Sequence, residues 1–440
     1  LPPSLRVLDL NDREFFNHAL GRLPRTLRKL RLGAAFNHTL LPQAALLPAT
    51  LAVLQIGEAF DHPLGPLPEG LVELRAHSFS RDCCFSRALG PLPAALRILD
   101  LARCTAFNHA LGRLPDALRE LRLGGAFDQP LPQLPASLEV QALGTACGAA
   151  LPATLPRTLR ELRIGHRFNA PLALPPTLEF LIIGNSYTHR LDLAALPLKT
   201  LHVGRSYAHA LPPLPGTPLP PSLQVLGLHQ CHRFNHSLGR LPCTLRKLRL
   251  GAAFSHPLLP QHASLLAVQG QQALDAESAA EPVQPAPDAL VRLPETLTVL
   301  GVGEAFDHPL GLLPKSLTEL RVDSTFNHAL GRLPDALCEL RLGGAFDQPL
   351  PQLPARLEVL ALGDAFEAAL PVVLPRALRE LHMGHRFNAP LALPPRLEFL
   401  LIGNSYTHRL DLAALSLKRL YVGRSYAHAL PPLPGTLVMR

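Results

Sequence analysis

Apolar positions along this chain recur in one phrase of about twenty residues, Leu-x-x-Leu-x-Leu-Gly followed by an aromatic. Leu118, Leu121 and Leu123 show it, and the last two have the period-two spacing of a strand with one buried face. Glu120 and Arg122 then point to the opposite, solvated face. Gly124 follows where the chain turns, a place suited to positive φ. The next aromatic, Phe127, restarts the cycle, and Leu-Pro pairs such as Leu114-Pro115 open the return segment. Proline there cannot donate a ladder bond, which predicts extended or short 3₁₀ segments and few or no α-helices. A fixed period near twenty predicts a repeat solenoid with a parallel β-sheet on one face, each coil packing only on its neighbours.

Restarts fall at nineteen places, from Phe16 to Tyr426. A second repetition lies over the first: Leu1–Leu5 recurs as Leu219–Leu223, and Phe168–Leu172 as Phe387–Leu391. This predicts two duplicated blocks, 1–218 and 219–440, of about ten repeats each. Residues 269–288 are rich in Ala, Gln, Pro and acids and lose the leucine phase, so a flexible insertion is expected there. The chain starts at Leu1 already in phase and stops at Arg440 inside an expected strand, as a piece of a longer chain would.

Composition changes this picture little. The 47 prolines and 30 glycines would suggest disorder in a chain without period, but here they hold fixed phases. A net charge of +8 permits attraction to anions, yet the arginines are dispersed among glutamates and no Lys/Arg run of five occurs. That speaks against nucleic acid. Without an apolar run of eighteen residues, no membrane segment is expected. Seven cysteines without C-x-x-C spacing point to no disulfide framework or zinc site and favour a reducing, cytoplasmic setting.

Twelve of twenty histidines stand two residues after the aromatic, among them His38, His109 and His328. In register their rings would lie about 5 Å apart. A straight ladder offers a metal two ligands where zinc needs about four, so a structural role is expected and no metal or cofactor. Closely spaced imidazolium rings would repel, predicting a stack that loosens in acid. Asn and Asp at the position after the aromatic are expected to satisfy turn backbone groups along the stack. No G-x-S-x-G, H-E-x-x-H, P-loop or G-x-G-x-x-G motif occurs, so no catalytic residue is assigned.

Phe-Asn-His-x-Leu followed by Leu-Pro-x-x-Leu-x-x-Leu-x-Leu-Gly, whole at 16–33, 107–124, 234–251 and 326–343, resembles the FNIP repeat, a leucine-rich-repeat relative. The resemblance implies a non-catalytic protein-interaction module, sometimes joined to F-box or kinase domains. The same leucine phase is similar to the LPX-type repeats of bacterial secreted effectors, some of which carry a ubiquitin ligase. This implies an alternative role as the substrate-recruiting part of a larger enzyme.

Strand alternation lets the outward pairs be read directly. Early coils show charged pairs, Lys29/Arg31, Glu73/Arg75 and Glu120/Arg122. One coil in each block instead presents Phe180 and Ile182, or Phe399 and Leu401, with His202 and Tyr421 in the adjoining coils. Exposed apolar groups on a sheet are costly unless covered, so these six are the expected site for a protein partner.

Overall fold

A computed structural model describes residues 1–13, 15–40, 46–76, 82–148, 151–152, 154–211, 219–258, 293–323, 325–413, 415–431 and 435–439. The expected insertion at 269–288 lies outside them. Each coil gives one strand of three or four residues, and the chain divides into two compact units, Leu1–Tyr207 and Ala208–Arg440. The first holds β1 (Val7–Asp9) to β10 (Thr200–His202), the second β11 (Val225–Gly227) to β20 (Leu437–Met439). Within a unit every strand pairs in parallel with its sequence neighbours, as a solenoid requires. Among the described residues no α- or 3₁₀-helix occurs. The return arcs run extended, with i to i+3 turns such as Leu118 N–H to the Pro115 carbonyl at 3.1 Å.

Two parallel lines of side chains make the core. One is the row of inward strand leucines, in register from Leu300 through Leu320, Leu340, Leu360, Leu381 and Leu400 to Leu420, all fully buried. The other is a spine of aromatic rings, one per coil except where Cys147 takes the ring's place. Successive rings lie nearly parallel with centroids 6.0 Å (Phe387–Tyr406) to 6.5 Å (Tyr187–Tyr207) apart, within the range of offset stacking. Tyrosines take part with buried rings, and burial pushes the Tyr187 and Tyr406 phenols up to about 12.

Polar ladders close the coils on either side of these lines. The Asn108 side-chain oxygen accepts from the Asp128 amide at 2.9 Å, and Asp128 accepts from Gly148 at 2.8 Å. The same link runs from Asn327 to Asp347 and on to Glu367. A second ladder was not foreseen. Thr or Ser before the first leucine donates to two carbonyls of the previous coil, as Thr177 does to Arg157 and Leu159.

The strand-end glycine is required for a different reason from the one expected. Positive φ belongs to Gly21, Gly65, Gly112, Gly239, Gly311, Gly331 and Gly435, which stand outside the strand ends. Gly184 and Gly384 instead lie against the backbone of the previous coil, where an added Cβ would sit 2.1 Å from the carbonyl oxygen of Gly165 or Gly363. Close approach, not backbone handedness, fixes that residue.

Candidate functional site

Sheet alternation turns one side chain of every two away from the leucine row. All six residues singled out from the sequence lie there, each half-buried: Phe180 and Ile182 on β9 (Phe180–Ile182), His202 on β10, Phe399 and Leu401 on β18 (Phe399–Ile402), and Tyr421 on β19 (Arg419–Val422). Register brings Phe180 beside Thr200 and Ile182 beside His202 in the first unit. In the second it brings Phe399 beside Arg419 and Leu401 beside Tyr421.

The second cluster extends further than strand-by-strand reading suggested. His382, on β17 (Glu380–Met383), stacks on Phe399 with centroids 4.5 Å apart, and Phe399 meets Tyr421 at 5.5 Å. The Arg419 guanidinium lies over Phe399, its Cζ 4.8 Å from the ring centroid. Met439 pairs opposite Tyr421 and is 42% exposed, carrying the apolar surface one strand on. In the first unit Arg163 covers Phe180 in the same way at 4.6 Å. The alternation that picked out Phe399 also places His382, Arg419 and Arg163 on this face. Their contacts come from coils about twenty residues apart, which the sequence does not display.

Around these clusters the face is a lattice of ion pairs. In the first unit Arg31 reaches Asp9 at 2.9 Å, Arg75 reaches Glu73 at 3.2 Å, and Arg163 reaches Glu161 at 2.7 Å. Arg122 is shared by Asp100 and Glu120. In the second, Arg249 reaches Glu319 at 3.0 Å, Arg321 reaches Glu339 at 2.8 Å, and Arg341 reaches Glu380 at 3.8 Å. Exposed pairs of this kind add little stability each. Their effect here is to leave most of the face solvated and mutually neutralised.

The histidines of the repeat do not form a ring-on-ring ladder. Their rings instead stand edge-on to the aromatic of their own coil, as His38 does to Phe36 at 6.0 Å and His328 to Phe326 at 5.6 Å. Nε2 of His38, His109, His308 and His408 lies 3.1, 2.9, 2.7 and 3.2 Å from a carbonyl oxygen of the previous coil. A carbonyl only accepts, so Nε2–H donates, and a second proton on Nδ1 leaves that bond intact.

Acid sensitivity is expected instead at His382 and His229. Burial pushes both imidazoles below their ordinary value, helped by Arg341 at the first and Arg249 at the second. Glu380, 3.7 Å from His382 Nε2, opposes the shift only in part. A lowered histidine favours the neutral form in the fold. Its stability contribution is therefore complete above the unfolded value near 6.5 and is lost as pH falls through the folded one. Melting temperature should drop between pH 7.5 and 5.0, and by less in His382→Asn. An equal drop in both proteins would place the sensitivity elsewhere.

Of the free cysteines, Cys84 and Cys243 are exposed. Cys83 and Cys104 pair in adjacent coils, both free and fully buried, and their contact together with burial keeps the Cys104 thiol protonated. Burial alone pushes Cys231 up to about 12. Among the described residues no group of three His, Cys, Asp or Glu has the arrangement of a metal site. No helix among them is long and apolar enough to cross a membrane.

Solved structures similar to this chain share the coil architecture. One is the crystal structure of CroV588, a circular leucine-rich-repeat protein, at 23% identity and TM-score 0.52, covering 99% of this chain and 69% of that one. The fold is that of a leucine-rich-repeat solenoid. YopM from Yersinia enterocolitica WA-314 is similar over 96% of this chain and 90% of its own, at 19% identity and TM-score 0.54. No protein-family model and no curated protein sequence matches the chain. At these identities the likeness extends to the leucine-rich-repeat fold and no further.

Proposed function

We propose that this solenoid is a non-catalytic protein-interaction scaffold that holds its partner on the outward face of the parallel sheet. The docking points are Phe399, Leu401 and Tyr421 in the second unit and Phe180, Ile182 and His202 in the first. One observation carries this reading: on a face rich in ion pairs, the aromatic side chains of the second unit are gathered in contact with each other and left half-buried, with Leu401 in register beside Tyr421. Such a cluster gains by being covered, and rigid aromatic anchors beside arginine suit an interface. The repeat phrase supports an FNIP-type subclass. A role as the substrate-recruiting part of a larger enzyme, such as a ubiquitin ligase, would use the same face and is the alternative.

None of the three second-unit residues belongs to the buried core. Replacing Phe399, Leu401 and Tyr421 together by Ser should abolish capture of the partner in a crosslinking pull-down while leaving the circular-dichroism spectrum and melting curve nearly unchanged. Unaltered capture would remove the proposed site. Loss of folding would show that these side chains are structural.

A further inference from the structure

Arg419 differs from every other arginine in the two outward strand rows. Those seven each lie within 4.0 Å of a carboxylate on their own strand or within two strands of it. Arg419 has none within that distance among the described residues. Its side chain is exposed and its guanidinium lies on the Phe399 ring, next in register to the strand that carries Leu401. The nearby carboxylate of Glu398 is taken by Lys418 and Arg379.

Guanidinium stacked on a ring keeps its planar edge of N–H donors free for an anion. Elsewhere on this face that demand is met from within the chain; here it is unmet, beside an apolar surface made by Phe399, Leu401 and Tyr421. Resting on the scaffold reading above, we infer that the second unit recognises a protein segment in which an acidic side chain neighbours a large apolar one. The carboxylate pairs with Arg419 while the apolar group covers the aromatic cluster. Charge complementarity also separates the two units. The corresponding cation of the first unit, Arg163 over Phe180, is already paired with Glu161, and Thr200 occupies the place next to Phe180 that Arg419 takes next to Phe399. The first unit therefore has no such preference.

The test is selection from a random dodecapeptide library displayed on phage, run on the full chain, on Arg419→Gln and on the triple Ser variant at 399, 401 and 421. Wild-type protein should enrich peptides with Asp or Glu beside Leu, Phe or Ile, and the acidic preference should vanish on Arg419→Gln while the apolar one remains. A resynthesised peptide with its acid changed to the amide should bind wild type about tenfold more weakly, the loss of one charge-assisted contact, and Arg419→Gln no differently. Apolar enrichment without an acidic preference, or the same acidic preference on Arg419→Gln, overturns this inference and leaves the scaffold reading standing. Enrichment no better on wild type than on the triple variant overturns both. Because Arg419 is exposed and lies outside the buried core, its variant should melt as the wild type does.

Discussion

Gly384→Ala should destabilise the second unit by about 3 kcal/mol, the upper end of what overpacking costs. The added methyl carbon would stand 2.1 Å from the Gly363 carbonyl oxygen, 2.3 Å from its carbon and 2.5 Å from Asp364 Cα. All three are backbone atoms of the previous coil, so no side chain can rotate to make room. Relief requires the two coils to part, which opens the strand ladder and the aromatic spine at the same joint. Gly344→Ala in the same unit is the control, because nothing lies within 4 Å of that position and its φ is not in the left-handed region. It should be neutral or raise stability by up to about 1 kcal/mol. Chemical denaturation of both variants checks the pair. Equal stabilities would mean that the coils are not held as closely as the carbonyl contacts show.

Gln141→Leu should act in the opposite direction, stabilising the first unit by about 2–4 kcal/mol. Gln141 occupies an inward strand position between Leu121 and Leu162, fully buried, and neither Nε2 nor Oε1 has a hydrogen-bond partner. An amide in that place incurs its desolvation cost without a compensating bond. The same coil has Cys147 where others have a ring, interrupting the stack between Phe127 and Phe168. Its duplicate in the second unit keeps the pattern, with Leu360 in the row and Phe366 in the spine. Leu360→Gln should therefore lower stability by a similar amount. Contacts in a solenoid are only between neighbours, so amide hydrogen exchange of coil 138–148 is the appropriate readout. Unchanged protection there after Gln141→Leu would show that the amide is satisfied.

Strands, leucine rows and the aromatic spine were legible in the sequence because each follows from a repeated phase. Asn108 and Asp128 were legible as a ladder for the same reason. Gly124 was placed at the right turn but given the wrong cause, since φ and the approach of a carbonyl from the previous coil, here that of Cys104, leave the same residue in the sequence. The histidine ladder failed on direction. Phase put the rings in register, but rings such as His38, His109 and His308 turn to a carbonyl rather than to the next ring. Cys147 was visible as a departure, whereas the cost of Gln141 emerges only when its burial and lack of partners are seen together. At the candidate site Phe399, Leu401 and Tyr421 followed from alternation alone. What distinguishes Arg419 is the absence of a carboxylate within 4.0 Å among the described residues, and ion pairs on this face join residues two to seventy positions apart, as Arg163–Glu161 and Arg249–Glu319 show.

A scaffold of this kind holds its partner on the outward sheet face. Hydroxyl-radical footprinting of the full chain, free and bound to the protein it captures, tests this directly. Phe399, Leu401 and Tyr421 should react in the free chain and be protected in the complex, with the buried Phe387 and Tyr406 silent in both. Protection confined to the return arcs, with Tyr421 equally reactive in both states, would contradict it.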